Sequence, residues 1–239
     1  MVATRAAVLR ALEAVRDPEL DEAITSLGFV ASCSVSGEGD VQVRLRLPTY
    51  FCAPNFAFLM AADAYDVVSA VAGVRSAHVV LEDHFAGDAI NSGIAARASF
   101  MQTFPGEARR ELADLRADFL RKAVMAGTDQ VCRPLVSAGA TPDELAAMTL
   151  GEVPPSSALS RLRQRRAELG LPTDDQAPLV IEPISGVRVP PSALSLHLRK
   201  ARTTATSVQA NTSICRGMLR HRYATAGLRE SELGEEEMG

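Results

Sequence analysis

Val41, Val43, Leu45 and Leu47 alternate with Gln42, Arg44 and Arg46, and this period of two marks a strand with one buried and one wet face. The run before it, Phe29 to Ser36, has strand character too, and the link Gly37-Glu38-Gly39-Asp40 is short and glycine-rich. That is hairpin chemistry, so the two strands are expected to pair antiparallel. A two-stranded ribbon does not stand alone in water, so the flanking sequence must supply a cover and further strands. Thr4 to Val15 reads as an amphipathic helix with Val8, Leu9, Leu12 and Val15 on one face. Asp17-Pro18 ends it, with Asp17 expected to cap a second helical turn that buries Ile24 and Leu27 before Gly28 stops it. A longer helix is expected over Asn55 to Ala72, with Phe56, Leu59, Met60, Val67, Val68 and Val71 as its stripe, and a third strand over Ser76 to Leu81. The fold class is α+β: an N-terminal α-β-β-α-β domain with a three-stranded sheet, residues 1–84, followed by a mainly α-helical region.

Residues 85–106 mix Gly, Ala, Ser and Asn without period and read as a linker or irregular arm. Residues 107–229 read as a mainly helical domain. Helices are expected over Glu107 to Ala126, from Thr141-Pro142-Asp143-Glu144 with its capping box, over Ser157 to Leu169, and from Ser192 to about Leu228 with a break near Thr203 to Thr206. Val180-Ile181 and Val187-Arg188-Val189 suggest a small hairpin around Gly186, and the acidic tail 230–239 is expected to be disordered. A length of 239 residues accommodates two such units without disulfides. No apolar run approaches the roughly 20 residues that span a bilayer, and the N-terminus lacks a signal peptide's apolar core, so no membrane association and a cytoplasmic location are expected. With 5% aromatics and no Trp, the chain has few platforms for stacking bases.

Four scattered cysteines, Cys33, Cys52, Cys132 and Cys215, form no C-x-x-C pair and are expected to be free thiols. Cys52 is the leading site candidate, because it stands just before a helix whose unsatisfied N–H groups favour a thiolate. Against this stands the ordinary fate of a free cysteine, a small buried hydrophobe. Cys33 falls on the inner face of its strand and is expected in the core. His84 follows strand three beside Glu82 and Asp83, residue types that bind iron, although three adjacent positions do not point one way. Cys215 and His221 lie six apart on a helix and do not converge as an i, i+4 pair would. His197 and Cys132 have no companion. The arginines at 161, 163, 165 and 166, with Arg199, Lys200, Arg202, Arg216, Arg220 and Arg222, make the second half basic although the net charge is −4, and read as a solvated helical face. No phosphate loop, dinucleotide fingerprint, zinc-protease motif or nucleophile elbow is present, so the reading is of a chain that is not an enzyme.

Asp17-Pro18-Glu19-Leu20, Leu27-Gly28-Phe29-Val30 and Cys52, in that order across Val8 to about His84, resemble the MIP18-type iron–sulfur assembly family, also called the domain of unknown function 59. The family's Cys-Pro is Cys52-Ala53-Pro54 here, and Pro48 with Thr49 stands in place of its upstream threonine. The resemblance implies a carrier or adaptor that delivers iron or iron–sulfur clusters, transiently held, to a client metalloenzyme. One branch accompanies a multicomponent di-iron oxygenase, which makes a di-iron monooxygenase subunit a candidate client. It also implies Cys52 as the cargo ligand, Asp17 as a carboxylate near it in competition with a plain cap, and Thr49 as a hydroxyl supporting the sulfur in competition with a turn residue. One cysteine cannot complete a four-ligand cluster, and a homodimer pairing two copies of Cys52 is the simplest completion. Two further readings stand beside this one: a non-metal assembly chaperone or binding module for an oxygenase subunit, and a nucleic-acid-binding regulator built on the basic helices, which low aromatic content disfavours.

Overall fold

The computed structural model describes residues 2–106 and 112–236, with side chains up to Ala224. Two compact units divide the chain, Met1–Leu112 together with Asn211–Gly239, and Ala113–Ala210. The first unit thus takes in the end of the chain, a grouping that differs from the expected segments 1–84 and 107–229.

In the first unit, α1 (Arg5–Leu12) starts at Thr4, whose side chain accepts from the Ala7 N–H. The one-turn α2 (Ile24–Leu27) ends at Gly28, which takes the left-handed conformation with φ 78°. Strands β1 (Val30–Val35) and β2 (Asp40–Arg46) form the antiparallel hairpin, with an irregularity between Val30 and Ser32. Helix α3 (Pro54–Ser69) then crosses over so that β3 (Ser76–Glu82) lies parallel to β2, giving the order β1-β2-β3. The alternation in β2 holds, since Val41, Val43 and Leu45 are buried and Gln42 and Arg44 are exposed. Helix α3 buries Ala57, Phe58, Leu59, Met60, Ala61, Ala64 and Val68. Leu59, Met60 and Val68 of the expected stripe are buried, joined by Phe58 and the small Ala57, Ala61 and Ala64, whereas Phe56, Val67 and Val71 are only half-buried.

The expected linker is largely helical. Helix α4 (Gly87–Ala95) buries Ile90 and Ile94, and α5 (Phe100–Thr103) carries a capping box between Ser99 and Gln102. Asn91 clamps α4 to β3 by accepting from the Leu81 N–H at 2.8 Å and donating to the Leu81 carbonyl at 3.1 Å.

The second unit is built from α6 (Leu112–Ser137), α7 (Pro142–Ala147), α8 (Ser157–Glu168) and the first part of α9 (Pro191–Glu236). The first residues of the helix expected from Glu107, residues 107–111, lie outside the described residues; α6 runs eleven residues beyond the expected Ala126 end. The Thr141 capping box is present. The hairpin around Gly186 is reduced to a single bridge between Ile181 and Arg188. Helix α9 runs unbroken through Thr203 to Thr206, where the Thr203 and Thr204 hydroxyls donate to the carbonyls of Arg199 and Lys200 one turn back instead of ending the helix. It also continues as helix through Glu236, where a disordered tail was expected; residues 237–239 lie outside the described residues.

The arginines of α8 are not all a solvated face. Arg166 is fully buried and donates to the carbonyls of Pro178 at 2.8 Å and Leu179 at 2.5 Å, tying α8 to the segment after it. Arg163 donates to Thr173 and Asp175. His197 is buried against Glu182 and Cys132 sits in the core, both structural roles, and burial pushes the Cys132 thiol up to about 12.

Candidate functional site

The loop from Pro48 to Ala53 joins the C-terminal end of β2 to the start of α3, with Ala53 at the helix cap and Pro54 in its first turn. Pro suits that position, because the N–H it lacks would have no helical partner there. Cys52 is half-buried in this loop and free. The Thr49 hydroxyl lies 3.4 Å from its sulfur, within hydrogen-bonding reach, so the structure brings these two candidates together.

His84 fixes the backbone beneath them. Its Nδ1 accepts from the Ala86 N–H at 3.2 Å, which leaves the ring proton on Nε2 to be donated to the Cys52 carbonyl at 2.7 Å. Burial, joined by the charge of Arg222, pulls the His84 pKa down, while the bond to Cys52 pulls it up. Both nitrogens are thus engaged by backbone groups, and in this conformation His84 positions the loop rather than offering a lone pair to iron. Glu82 is turned elsewhere, to Arg44.

Asp17 lies in the turn between α1 and α2, 7% exposed, with Oδ1 accepting from the N–H groups of Glu19 at 2.9 Å and Leu20 at 2.8 Å. It caps a tight turn, not a helix. Desolvation pushes its carboxyl up to about 6, partly offset by those two bonds.

The sequence reading missed a third component, the C-terminal part of α9. Asn211 donates to Glu19 at 3.2 Å, Arg216 pairs with Glu22 at 2.5 Å, Leu219 is buried in the sheet domain's core, and Arg222 donates to the carbonyls of Leu47 at 3.0 Å and Asp83 at 2.6 Å. Asn211, Cys215, Leu219 and Arg222 form one helical stripe at spacings of four, four and three, which was the available signal. Cys215 therefore rides on the docked face, packs against the same core as Cys52, and lies within electrostatic reach of Asp17, Cys52 and Glu19.

Also missed was an aromatic cluster on the loop's outer side. Tyr50, Phe51 and Phe85 are exposed, Phe51 at 75%, with ring centroids 5.0 to 6.3 Å apart. The Phe85 N–H donates to the Tyr50 carbonyl at 3.1 Å, which holds the two segments together. Among the described residues no group of three or more His, Cys, Asp or Glu is placed to hold a metal ion, and no helix is long and apolar enough to cross a membrane.

A small sheet covered by helices carries one half-buried, free cysteine in a pinned loop. Comparison with known proteins gives this domain a family. Residues 5–79 match the family described as iron–sulfur cluster assembly protein. An uncharacterized protein of Methanocaldococcus jannaschii is 32% identical over 88 residues, which are 37% of this chain and 90% of that relative. Through its N-terminal third the chain belongs to this iron–sulfur cluster assembly family. No solved structure matches the chain significantly.

Proposed function

We propose that the protein is an accessory factor that receives iron or an iron–sulfur cluster as cargo on Cys52 and passes it to a client metalloenzyme, in the cytoplasm. The observation that carries this reading is the state of Cys52 itself. The residue is half-buried with its sulfur beside a hydroxyl, while its carbonyl is tied to buried His84, so the thiol sits on a fixed backbone. A thiolate suits a soft or borderline iron centre, and a site short of ligands suits transfer better than storage. Thr49 steadies the sulfur, and Asp17 is the carboxylate that this reading assigns to the same task. The exposed rings of Tyr50, Phe51 and Phe85 give a client protein an apolar contact next to the thiol, and aromatic residues are enriched at such contacts. A di-iron monooxygenase subunit is the client that we favour.

Anaerobic incubation with iron and sulfide should give the wild-type chain a charge-transfer absorption, and transfer to an acceptor apoprotein, that Cys52→Ala lacks. Equal behaviour of the two would remove the carrier role and leave the chaperone reading, in which the aromatic cluster acts without a metal.

A further inference from the structure

We propose that the cleft between α2, the end of β2 and residues 216–224 of α9 is a binding site for a small, non-aromatic phosphate ester. The cleft has a volume of about 730 Å³ and lies wholly within the first unit. Arg46 reaches it from β2 and Arg216 and Arg220 from α9, with Thr25 and Leu219 lining it beside them. Arg216 is neutralised by Glu22. Arg46 and Arg220 are not, because among the described residues neither forms an ion pair, and the Arg220 Nε donates to the Arg216 carbonyl one turn back. The Nε of Arg46 is buried and has no hydrogen-bond partner among the described residues. A buried donor left without a partner costs free energy, so its place on the wall of a cleft points to an acceptor from outside the chain.

Charge and shape choose the ligand. Two uncompensated guanidinium groups match a phosphate ester, which carries a charge of about −1.5 to −2 at neutral pH and three acceptor oxygens suited to their planar forks. A single carboxylate would leave one cation unbalanced. The Arg46 guanidinium lies 4.6 Å from the centroid of the Tyr223 ring, a cation–π contact that holds the fork in place. Arg222 lies 5.2 Å from the same ring, so the one aromatic side chain of the cleft is already engaged and offers no free face to a nucleobase. The cleft is far larger than inorganic phosphate and falls within the roughly 300–1,000 Å³ of organic-ligand sites, with Leu219 and the Thr25 hydroxyl to meet a short carbon or polyol body. None of its lining residues belongs to the Cys52 loop, so the site stands or falls independently of the cargo reading.

The test is isothermal titration calorimetry on the full chain at low salt, with glycerol 3-phosphate as the probe beside inorganic phosphate, succinate and a single-stranded DNA oligonucleotide. Glycerol 3-phosphate should bind once per chain, more tightly than inorganic phosphate or succinate. Arg46→Gln and Arg220→Gln should each weaken it at least about tenfold, the lower end of what losing one hydrogen bond to a charged group costs. Arg10→Gln removes an equal charge from an exposed position outside the cleft and should leave binding unchanged. In the unmutated chain, where folding is not in question, glycerol 3-phosphate should protect Arg46 and Arg220 from phenylglyoxal, read by mass spectrometry. Absence of binding, or equal weakening by all three variants, overturns the site. Inorganic phosphate or succinate binding as tightly as the ester overturns the ligand class. Tighter binding of the DNA, weakened by the same two cleft variants, makes the cleft a nucleic-acid contact and overturns the proposal as well.

Discussion

Replacing Asp17 by Asn should stabilise the protein at neutral pH, although Asp17 caps a turn and occupies a family motif. The carboxyl is 7% exposed and titrates at about 6 in the fold, against an unfolded value near 4. The folded state therefore holds its proton more tightly, so wild-type stability falls as pH rises through about 4 to 6 and is flat in this respect above that range. The whole difference is about 3 kcal/mol at pH 7, taking 1.36 kcal/mol per tenfold change in proton affinity. Asn mimics the protonated acid: its Oδ1 can still accept from the Glu19 and Leu20 N–H groups, so the turn survives while the charge goes. Urea melts of both chains between pH 4 and pH 8 check this, because every other titrating group cancels in the difference. Asp17→Asn should gain about 2–3 kcal/mol at pH 7 and little at pH 4. A variant that is less stable at pH 7, or a difference that does not change with pH, would refute the reasoning. The cost that Asn relieves is then the cost of burying a carboxylate that only two backbone N–H groups are shown to offset.

Arg166→Met should destabilise the chain by about 2–4 kcal/mol in urea unfolding, because it leaves the buried Pro178 and Leu179 carbonyls without their donor. Gly39→Ala should cost more than about 2 kcal/mol, since Gly39 has φ +90° and an added Cβ would lie 2.4 Å from the Gly73 carbonyl oxygen; Gly37→Ala in the same turn, with nothing within 4 Å, should stay within about 0.5 kcal/mol. The stability that neutral His84 contributes is whole above its unfolded pKa of about 6.5 and is lost as pH falls toward its lowered folded value, so His84→Gln should flatten the acid side of a thermal-melt profile. The same variant should speed alkylation of Cys52, read by mass spectrometry, because it replaces the ring whose Nε2–H holds the loop carbonyl.

What the sequence revealed of the fold followed from elements whose reasons are local. The β2 alternation, the glycine turn and the Thr141 capping box each carry their own physics within a few residues, and each stands in the structure. Helix α4 carries no such signal. Its Gly, Ala, Ser and Asn are poor advertisers of a helix, and it forms because Ile90 and Ile94 reach the sheet's core and Asn91 completes the backbone bonds of Leu81. The difference in α3 has the same origin: Ala57, Ala61 and Ala64 are buried although small, and a search for large apolar residues passes over them and points to Phe56.

The site divides along the same line. Thr49 and Cys52 are three residues apart, and their neighbourhood follows from the loop that holds them both. His84 looks from sequence like a donor to iron because its residue type is right. Only the fold shows both ring nitrogens committed to backbone, and this turns a ligand candidate into the element that holds Cys52 in place. Cys215 shows the converse. Paired with His221 at a spacing of six it cannot form a site, and no rule of spacing links it to a loop more than 160 residues earlier. The link is made by polar anchors at either end of one helical stripe, Asn211 on Glu19 and Arg222 on Leu47, which fix the register at which the helix lies against the domain. A shift of one residue would turn Cys215 by about 100° and carry it off that face, so register alone decides that Cys215 packs against the core of the sheet domain.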